Sequence, residues 1–315
     1  MGTPEFAATV LRRLLAPDSP LQVVGVVTQP DRPVGRSARA APPPVKALAQ
    51  EHGLPVLQPP SLRRPAALAA LTRLRPEVGI VAAYGAILRP DVLDLPPQGY
   101  LNVHASLLPR WRGAWPVGAA ILAGDAETGA TIMRLDAGMD TGPILARRPT
   151  PIRPQDTTAS LQERLATLGA ELLVEVLPAY LAGRLVPEPQ DDRAATYSQM
   201  VRKEDGRLDW SHPASELERR VRAMQPWPGA WTVWGDKTLR VLAATVLPDG
   251  PEGAPTAGAE PGRVVRHGGG VAVAAGAGWL GLDRLQLEGR GVVTAAAFVN
   301  GYRAFPGSVL GAPPA

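Results

Sequence analysis

The chain has 315 residues, enough for two domains that each have a hydrophobic core. Its 33 lysines and arginines and 29 aspartates and glutamates give a net charge of +4, which is compatible with a polyanionic partner without requiring one. With no cysteine and only four scattered histidines, disulfides and thiolate metal sites are excluded, and we expect no metal. No run approaches the roughly 20 apolar residues of a membrane span, and no secretory signal pattern is present, so we expect a cytoplasmic protein without membrane contact.

The first half of the chain alternates helical and strand patterns. Residues 6–15 have apolar residues at helical spacing, and residues 45–52 and 65–74 are also predicted helices. Residues 21–28 and 78–84 are continuous apolar runs, which predicts parallel strands that are buried on both faces. This alternation is typical of an α/β domain.

Two polar side chains end an apolar run in the middle of the chain. Asn102 and His104 are two residues apart, which puts both side chains on the same face of a strand end. An asparagine amide can donate to a developing oxyanion, and histidine titrates close to neutral pH, so the pair suits addition to a carbonyl group. Taken alone, the pair is more simply a half-buried histidine and a turn-forming asparagine. Residues 109–113 then form a cationic and aromatic turn that is typical of a loop facing a ligand.

A second motif follows a strand-like segment at residues 130–135. Asp140 lies between Gly138 and Gly142, which let the backbone turn tightly and approach a bound ligand. Its carboxylate could orient an imidazole and raise its basicity. Alone, this sequence is equally compatible with a solvated turn.

The two motifs, N-x-H-x-S-L-L-P-x-x-R-G at residues 102–113 and D-x-G-x-D-T-G at residues 136–142, together strongly resemble those of the 10-formyltetrahydrofolate-dependent formyltransferase superfamily. The resemblance implies 10-formyltetrahydrofolate as co-substrate and Asn102, His104 and Asp140 as catalytic residues. The chemistry agrees with this assignment. Asn102 and protonated His104 can hold the oxyanion of a tetrahedral intermediate, and Asp140 can help the imidazole or a water to accept the amine proton.

The resemblance continues into the second half of the chain. Residues 225–232 and 298–303 look like the two signatures of the C-terminal domain of methionyl-tRNA formyltransferases. This implies formyl transfer to the α-amino group of initiator methionyl-tRNA, by an enzyme that we expect to be a monomer. The family resembles Rossmann folds, in which a strand precedes the first helix, whereas this sequence begins inside the following turn. We expect that the chain has been truncated or its start assigned too late, rather than that the sheet manages without this strand.

The later segments predict a second domain. Residues 156–181 have the leucine spacing of a long helix with Thr157 or Thr158 as N-cap, and residues 215–224 form an amphipathic helix. Beyond a proline-rich, acidic segment, short β-like stretches separated by glycine turns predict a small, OB-like β-barrel. We therefore expect a Rossmann-like catalytic domain with a mostly parallel sheet over residues 1–183, a linker over 184–203 and a C-terminal, tRNA-binding barrel over 204–315.

The resemblance also implies ligand contacts, although each segment is equally compatible with a simple turn or a solvated loop. Folate would be held by the loop after residues 78–84 and by the segment after His104, through Gly85, Ala86, Ile87, Leu88, Ser106, Leu107, Leu108 and Pro109. Phosphates of the tRNA would be contacted by Arg32, Arg36, Arg39, Lys46, Arg110 and Arg112. The last two could equally hold the glutamate tail of the folate.

Several alternatives share part of this pattern. Glycinamide ribonucleotide formyltransferase has the same three residues in a single domain, so the residues after the linker argue against it. Sugar-nucleotide formyltransferases and the hydrolase part of formyltetrahydrofolate dehydrogenase have two domains, but the basic loop at residues 32–39 and Asn300-Gly301-Tyr302 separate this chain from them. A non-catalytic RNA-binding protein is disfavoured by the three intact polar residues. A simple nucleotide-binding Rossmann protein is disfavoured because no G-x-G-x-x-G follows a strand.

Overall fold

The computed structural model describes residues 1–33, 40–252 and 258–311. The chain forms two compact units. The first comprises Met1–Pro116, Glu127–Pro151 and Leu161–Gln199, and the second comprises Val117–Ala126, Ile152–Ser160 and Met200–Ala315. Two short segments that interrupt the first unit along the sequence thus belong to the second unit. The domain boundaries at residues 183 and 203 stay a prediction.

The described helices and strands follow one another as an α/β pattern and then a mainly β pattern. The helices are α1 (Glu5–Leu14), α2 (Pro44–Glu51), α3 (Pro65–Arg73), α4 (Pro90–Leu93), α5 (Pro116–Ala123), α6 (Thr158–Leu181), α7 (Ala214–Ala223) and α8 (Ala295–Gly301). The strands are β1 (Val26–Val27), β2 (Arg32–Pro33), β3 (Ala40–Ala41), β4 (Val56–Leu57), β5 (Gly79–Val81), β6 (Tyr100–His104), β7 (Arg112–Gly113), β8 (Glu127–Arg134), β9 (Ile144–Pro151), β10 (Tyr197–Ser198), β11 (Ala230–Trp234), β12 (Lys237–Leu247), β13 (Val264–His267), β14 (Gly270–Ala274), β15 (Trp279–Leu287) and β16 (Val293–Thr294).

The first unit is a Rossmann-like α/β layer. Strand β1 pairs in parallel with β4, and β5 pairs in parallel with β6. Antiparallel strands β8 and β9 extend the sheet beyond β6, in the order β5-β6-β8-β9. Helix α1 buries the predicted apolar stripe, including Phe6, Val10, Leu11 and Leu14. The central position of β6 matters for function, because its end carries Asn102 and His104.

The prediction of one continuous buried strand at residues 21–28 is wrong for its first half. Only β1 is a strand there, and Val24 is 43% exposed. The amide of Gly2 donates to the carbonyl oxygen of Val27 at 3.0 Å, and the amide of Ala82 donates to that of Met1 at 3.0 Å, so these first residues lie between β1 and β5. Beside them, residues 22–25 and 77–79 line a cavity of about 370 Å³. Residues 22–25 are irregular because the described chain places no strand beside them.

The second unit contains the predicted small β-barrel, and its strands pair antiparallel. Its strands pair in the order β11-β12-β15-β14-β13, with β16 beside β15. The segment at residues 308–311 joins the two outer strands: the amide of Val264 donates to the carbonyl of Ser308, and the amide of Gly311 donates to that of Val233, both at 2.9 Å. These bonds close the sheet, which removes the exposed edges that an open sheet would present.

The two helices predicted at residues 156–181 and 215–224 are confirmed. Helix α7 buries Leu217 and Val221 in the barrel core. Helix α6 begins at Thr158, and the hydroxyl of Thr157 accepts from the amide of Ser160 at 3.3 Å, so Thr157 is the N-cap of the two candidates. The reciprocal bond, from the amide of Thr157 to the Ser160 hydroxyl at 3.0 Å, stabilises the same turn.

Candidate active site

The end of β6 presents a buried polar pair. Asn102 and His104 are 8% and 6% exposed, and both project from the same face of the strand because side chains alternate. Val103, between them, is buried on the opposite face. Strand β5 pairs with Asn102 on one side, and β8 pairs with both Asn102 and His104 on the other, which fixes this geometry. A buried polar group needs a partner, and both side chains find theirs in the loops that follow β6 and β8.

Asp140 joins the pair, as the sequence predicts. Its Oδ2 atom lies 3.7 Å from Nδ1 of His104 and accepts the amide N–H of Gly113 at 2.9 Å. Its Oδ1 accepts from Nδ2 of Asn102 at 3.4 Å. Asp140 has a φ of 53°, in the left-handed region, which aspartate tolerates better than most residues. The structure therefore brings together the three residues proposed as catalytic, with one carboxylate bridging the other two.

The imidazole orientation identifies the nitrogen of His104 that can exchange a proton. Its Nε2 lies 2.9 Å from the backbone carbonyl oxygen of Trp111. A carbonyl oxygen only accepts hydrogen bonds, so Nε2 carries the hydrogen in both the neutral and the charged form. Nδ1 is consequently the nitrogen that gains or loses a proton, and it is the one that faces Asp140. The hydroxyl of Ser106 holds this loop by donating to the carbonyl of Arg110 at 2.6 Å.

Arg112 does not have the role that the sequence predicts. Its side chain is 1% exposed and donates to Asp192 at 2.8 Å, to Gln190 at 2.9 Å and to the hydroxyl of Tyr197 at 3.3 Å. Burial alone would lower the pKa of Arg112, but the bonds to Asp192 and Tyr197 raise it above its ordinary value. The predicted tRNA contact by Arg112 is therefore corrected: a guanidinium enclosed by these partners cannot reach a phosphate. Sequence reasoning missed this because an arginine beside a site is usually exposed.

The predicted folate segments divide into exposed and buried parts. Gly85, Ala86 and Ile87 are exposed after β5, and Ile87 reaches 65% exposure. Leu88 is buried in the core below them. The exposed side chain of Ile87, next to the buried Leu88, is compatible with contact to a flat aromatic ligand in this loop. Folate contact here stays a prediction.

The segment after His104 is mostly enclosed. Ser106 and Leu108 are buried, and Leu107 and Pro109 are partly buried. The amide of Leu108 donates to the hydroxyl of Thr131 at 3.1 Å, and its carbonyl accepts from Arg147 at 2.6 Å. The buried side chains of Ser106 and Leu108 hold the loop, so any folate contact by them is made by backbone atoms.

The predicted tRNA contacts fall into three groups. Arg32 and Arg110 are exposed, and the Arg110 guanidinium lies 4.5 Å above the ring of Trp111. Arg36 and Arg39 lie outside the described residues. The ammonium of Lys46 is paired with Asp31 at 2.7 Å. Hydrogen bonds from Gln58 and Lys46 lower the pKa of that aspartate. Lys46 is thus already engaged within the protein.

Two searches across the described part of the chain were negative. Residues 1–33, 40–252 and 258–311 contain no group of three or more histidine, aspartate or glutamate side chains that could hold a metal ion. Within the same ranges, none of the helices has the length and apolarity needed to span a bilayer.

Comparison with known proteins agrees with this geometry. Residues 1–177 match the formyl transferase family and residues 200–303 match the formyl transferase C-terminal domain. Methionyl-tRNA formyltransferase of Roseiflexus sp. (strain RS-1) is 50% identical over 311 residues, which cover 99% of this chain and 94% of that protein. The Geobacter sulfurreducens methionyl-tRNA formyltransferase is 46% identical over 312 residues, 99% of this chain and 95% of that protein. The chain belongs to the methionyl-tRNA formyltransferases.

Solved structures share the fold of this formyltransferase at low sequence identity. WlaRD, a sugar 3N-formyl transferase solved with dTDP and 5-N-formyl-THF, has a TM-score of 0.65 and 14% identity, covering 92% of this chain and 96% of that one. The N-formyltransferase of Helicobacter canadensis, solved with folinic acid and dTDP-3-aminofucose, has a TM-score of 0.63 and 14% identity, covering 89% and 97%. At this identity the likeness concerns the fold alone.

Proposed function

We propose that this protein transfers the formyl group of 10-formyltetrahydrofolate to the α-amino group of methionyl-tRNA. The observation that carries the proposal is the meeting of Asn102, His104 and Asp140 at the end of β6, in a chain 50% identical to a methionyl-tRNA formyltransferase along nearly its whole length. The acceptor is inferred from the names of the relatives, and the type of reaction is inferred from the three side chains.

The reaction begins when the amine attacks the formyl carbon. A C–N bond forms, and the carbonyl oxygen becomes an oxyanion in a tetrahedral intermediate. The amide of Asn102 is a donor held in a buried place, which is the arrangement that stabilises such charge most effectively. The attacking nitrogen must lose a proton, and Nδ1 of His104 is the available base.

Asp140 acts at the moment when the imidazole becomes charged. Its carboxylate lies 3.7 Å from Nδ1 of His104, so it stabilises the imidazolium. Collapse of the intermediate then breaks the bond to N10 of the folate, and the proton on Nδ1 passes to that leaving nitrogen. The products are formylmethionyl-tRNA and tetrahydrofolate, and His104 returns to its starting form.

The test is formyl transfer by purified protein with three acceptors: charged initiator methionyl-tRNA, glycinamide ribonucleotide and an amino-sugar nucleotide. We expect formylation of methionyl-tRNA alone. Asn102→Ala should keep the fold and lose most of the turnover, because the oxyanion loses a donor. Transfer to another acceptor in preference to methionyl-tRNA would reject the proposed substrate, and near-normal turnover by Asn102→Ala would reject the proposed role of the amide.

We also propose that exposed cations hold the tRNA. Arg32 and Arg110 are the described candidates because their side chains are exposed, whereas Arg112 is buried. Neutralising one phosphate contact should reduce the slope of log affinity against log salt concentration by about 1, without changing kcat. Arg110→Gln tests this directly, and an unchanged salt slope would remove Arg110 from the tRNA surface.

Because charged tRNA is the proposed acceptor, we place the enzyme in the cytoplasm, and we retain a monomer as the simplest state that this chemistry requires.

A further inference from the structure

The segment from Glu188 to Ser198, which we call the strap, is bonded to both loops of the candidate site. Its Glu188 pairs with Ile144 at the start of β9 through two backbone bonds of 2.7 and 2.8 Å. At its other end, β10 pairs in parallel with β7. Between these points the carbonyl of Thr196 accepts from the amide of Arg112 at 2.9 Å. The proline-rich stretch thus holds the turn of Asp140 and the loop after His104 against each other.

Gln190 lies near the start of the strap, and both polar atoms of its side chain are hydrogen-bonded. Its Nε2 donates to the carbonyl oxygens of Asp140 at 2.8 Å and of Gly142 at 2.7 Å. Its Oε1 accepts from Nε and Nη2 of Arg112 at 3.1 and 2.9 Å. One amide group therefore connects a buried guanidinium to the backbone on both sides of Thr141.

The backbone at Asp140 needs such support. A non-glycine residue at a φ of 53° costs free energy, on the order of 1 kcal/mol, and persists when its surroundings hold it. Gln190 bonds the carbonyl of that same residue. If those bonds were lost, the turn could relax and carry the carboxylate away from His104. A shift of about 1 Å in a reacting group can lower a rate about 100-fold.

We propose that Gln190 is a positioning residue that holds the Asp140 carboxylate beside His104. Arg112, in turn, fixes the orientation of the Gln190 amide. Two N–H groups of Arg112 donate to the amide oxygen of Gln190, so the amide nitrogen faces the turn. This role of Gln190 adds to the proposed function, and the kinetic part of its test rests on that function.

Gln190→Glu separates positioning from folding. The glutamate has the same shape and keeps an acceptor for Arg112, now with a favourable charge. It replaces the donating amide with an oxygen that faces two carbonyl oxygens, so the turn is pushed away. We expect kcat to fall about 10- to 100-fold, with the KM values for methionyl-tRNA and 10-formyltetrahydrofolate and the melting temperature little changed. Glu188→Gln, an exposed side chain on the same strap, is the matched control and should keep wild-type kcat.

A double mutant then tests whether Gln190 acts through Asp140. In an Asp140→Asn background, Gln190→Glu should cause little further loss of kcat, because the carboxylate it positions is already gone. A full additional loss in that background would overturn the proposal, as would a wild-type kcat for Gln190→Glu.

A structural readout keeps this test separate from the proposed function. In a crystal structure of Gln190→Glu, the separation of the Asp140 carboxylate from Nδ1 of His104 should exceed the 3.7 Å of the unaltered protein. If the unaltered protein transfers formyl to no acceptor, the proposed function fails, and this distance alone decides the role of Gln190. An unchanged distance in the variant would overturn it.

Discussion

Replacing Asp140 with asparagine tests the electrostatic step of the mechanism. The side chain keeps its shape, and asparagine tolerates the left-handed backbone at this position, so the fold should survive. The negative charge 3.7 Å from Nδ1 of His104 is lost. With an effective dielectric constant of about 20, that charge stabilises an imidazolium by about 4.5 kcal/mol. The amide dipole of the asparagine replaces part of this, so we expect kcat to fall about 100- to 1000-fold.

The assay is steady-state formylation of methionyl-tRNA with both substrates saturating, which gives kcat directly. Asp136→Asn is the matched control, because it is the same substitution in the same turn. Asp136 accepts bonds from Gly138 and Thr141 through one oxygen, a role that asparagine keeps. A kcat for Asp140→Asn within about threefold of that of the control would refute the reasoning, since an effect of this size is well below the expected loss.

Three further predictions concern stability. Gly142→Ala should cost about 2 kcal/mol, since its added carbon would overlap a β8 carbonyl oxygen, whereas Gly291→Ala has no described atom within 4 Å and should be nearly neutral in urea unfolding. Burial raises the pKa of Tyr100 to about 12, so its neutral form stabilises the fold below pH 10, and this contribution is lost as the pH rises towards 12. Between pH 8 and pH 11 the unfolding free energy should therefore fall by about 1 kcal/mol more in wild type than in Tyr100→Phe; an equal fall would contradict the assignment. Thr232→Val should cost about 1–3 kcal/mol by leaving the buried indole N–H of Trp210 unpaired, while Thr232→Ser should keep most of the stability.

The three polar residues of the site could be predicted from the sequence because their two motifs together resemble those of a known family, whereas each motif alone is compatible with an ordinary turn. Asn102 and His104 share a strand face by simple alternation, and glycines flanking Asp140 indicate a tight turn. The barrel strands could also be anticipated, since glycine turns separate their apolar stretches; β15 has the predicted bounds of residues 279–287. These features depend on local patterns.

The features that sequence reasoning missed depend on long-range pairing. Val23 and Val24 are as apolar as the two valines of β1, yet they line a cavity, because strand formation requires a neighbouring strand that the pattern itself does not reveal. The local sequence around Arg112 suggests an exposed arginine, but the side chain is bound by Asp192, which lies 80 positions later in the chain. Gln190 lies among prolines and acidic residues, where composition indicates only a connection. In each case the deciding partner is distant in sequence.

Non-glycine residues with a left-handed backbone conformation affect how this protein would respond to selection for stability. Among the described residues, four other than glycine have a positive φ, and three of them, Ala83, Trp111 and Asp140, lie in or beside the loops of the candidate site. Glycine would relieve the backbone cost at each. A laboratory selection for heat resistance alone would therefore tend to accept substitutions at these positions and erode catalysis, so thermostable variants should be screened for turnover at every round.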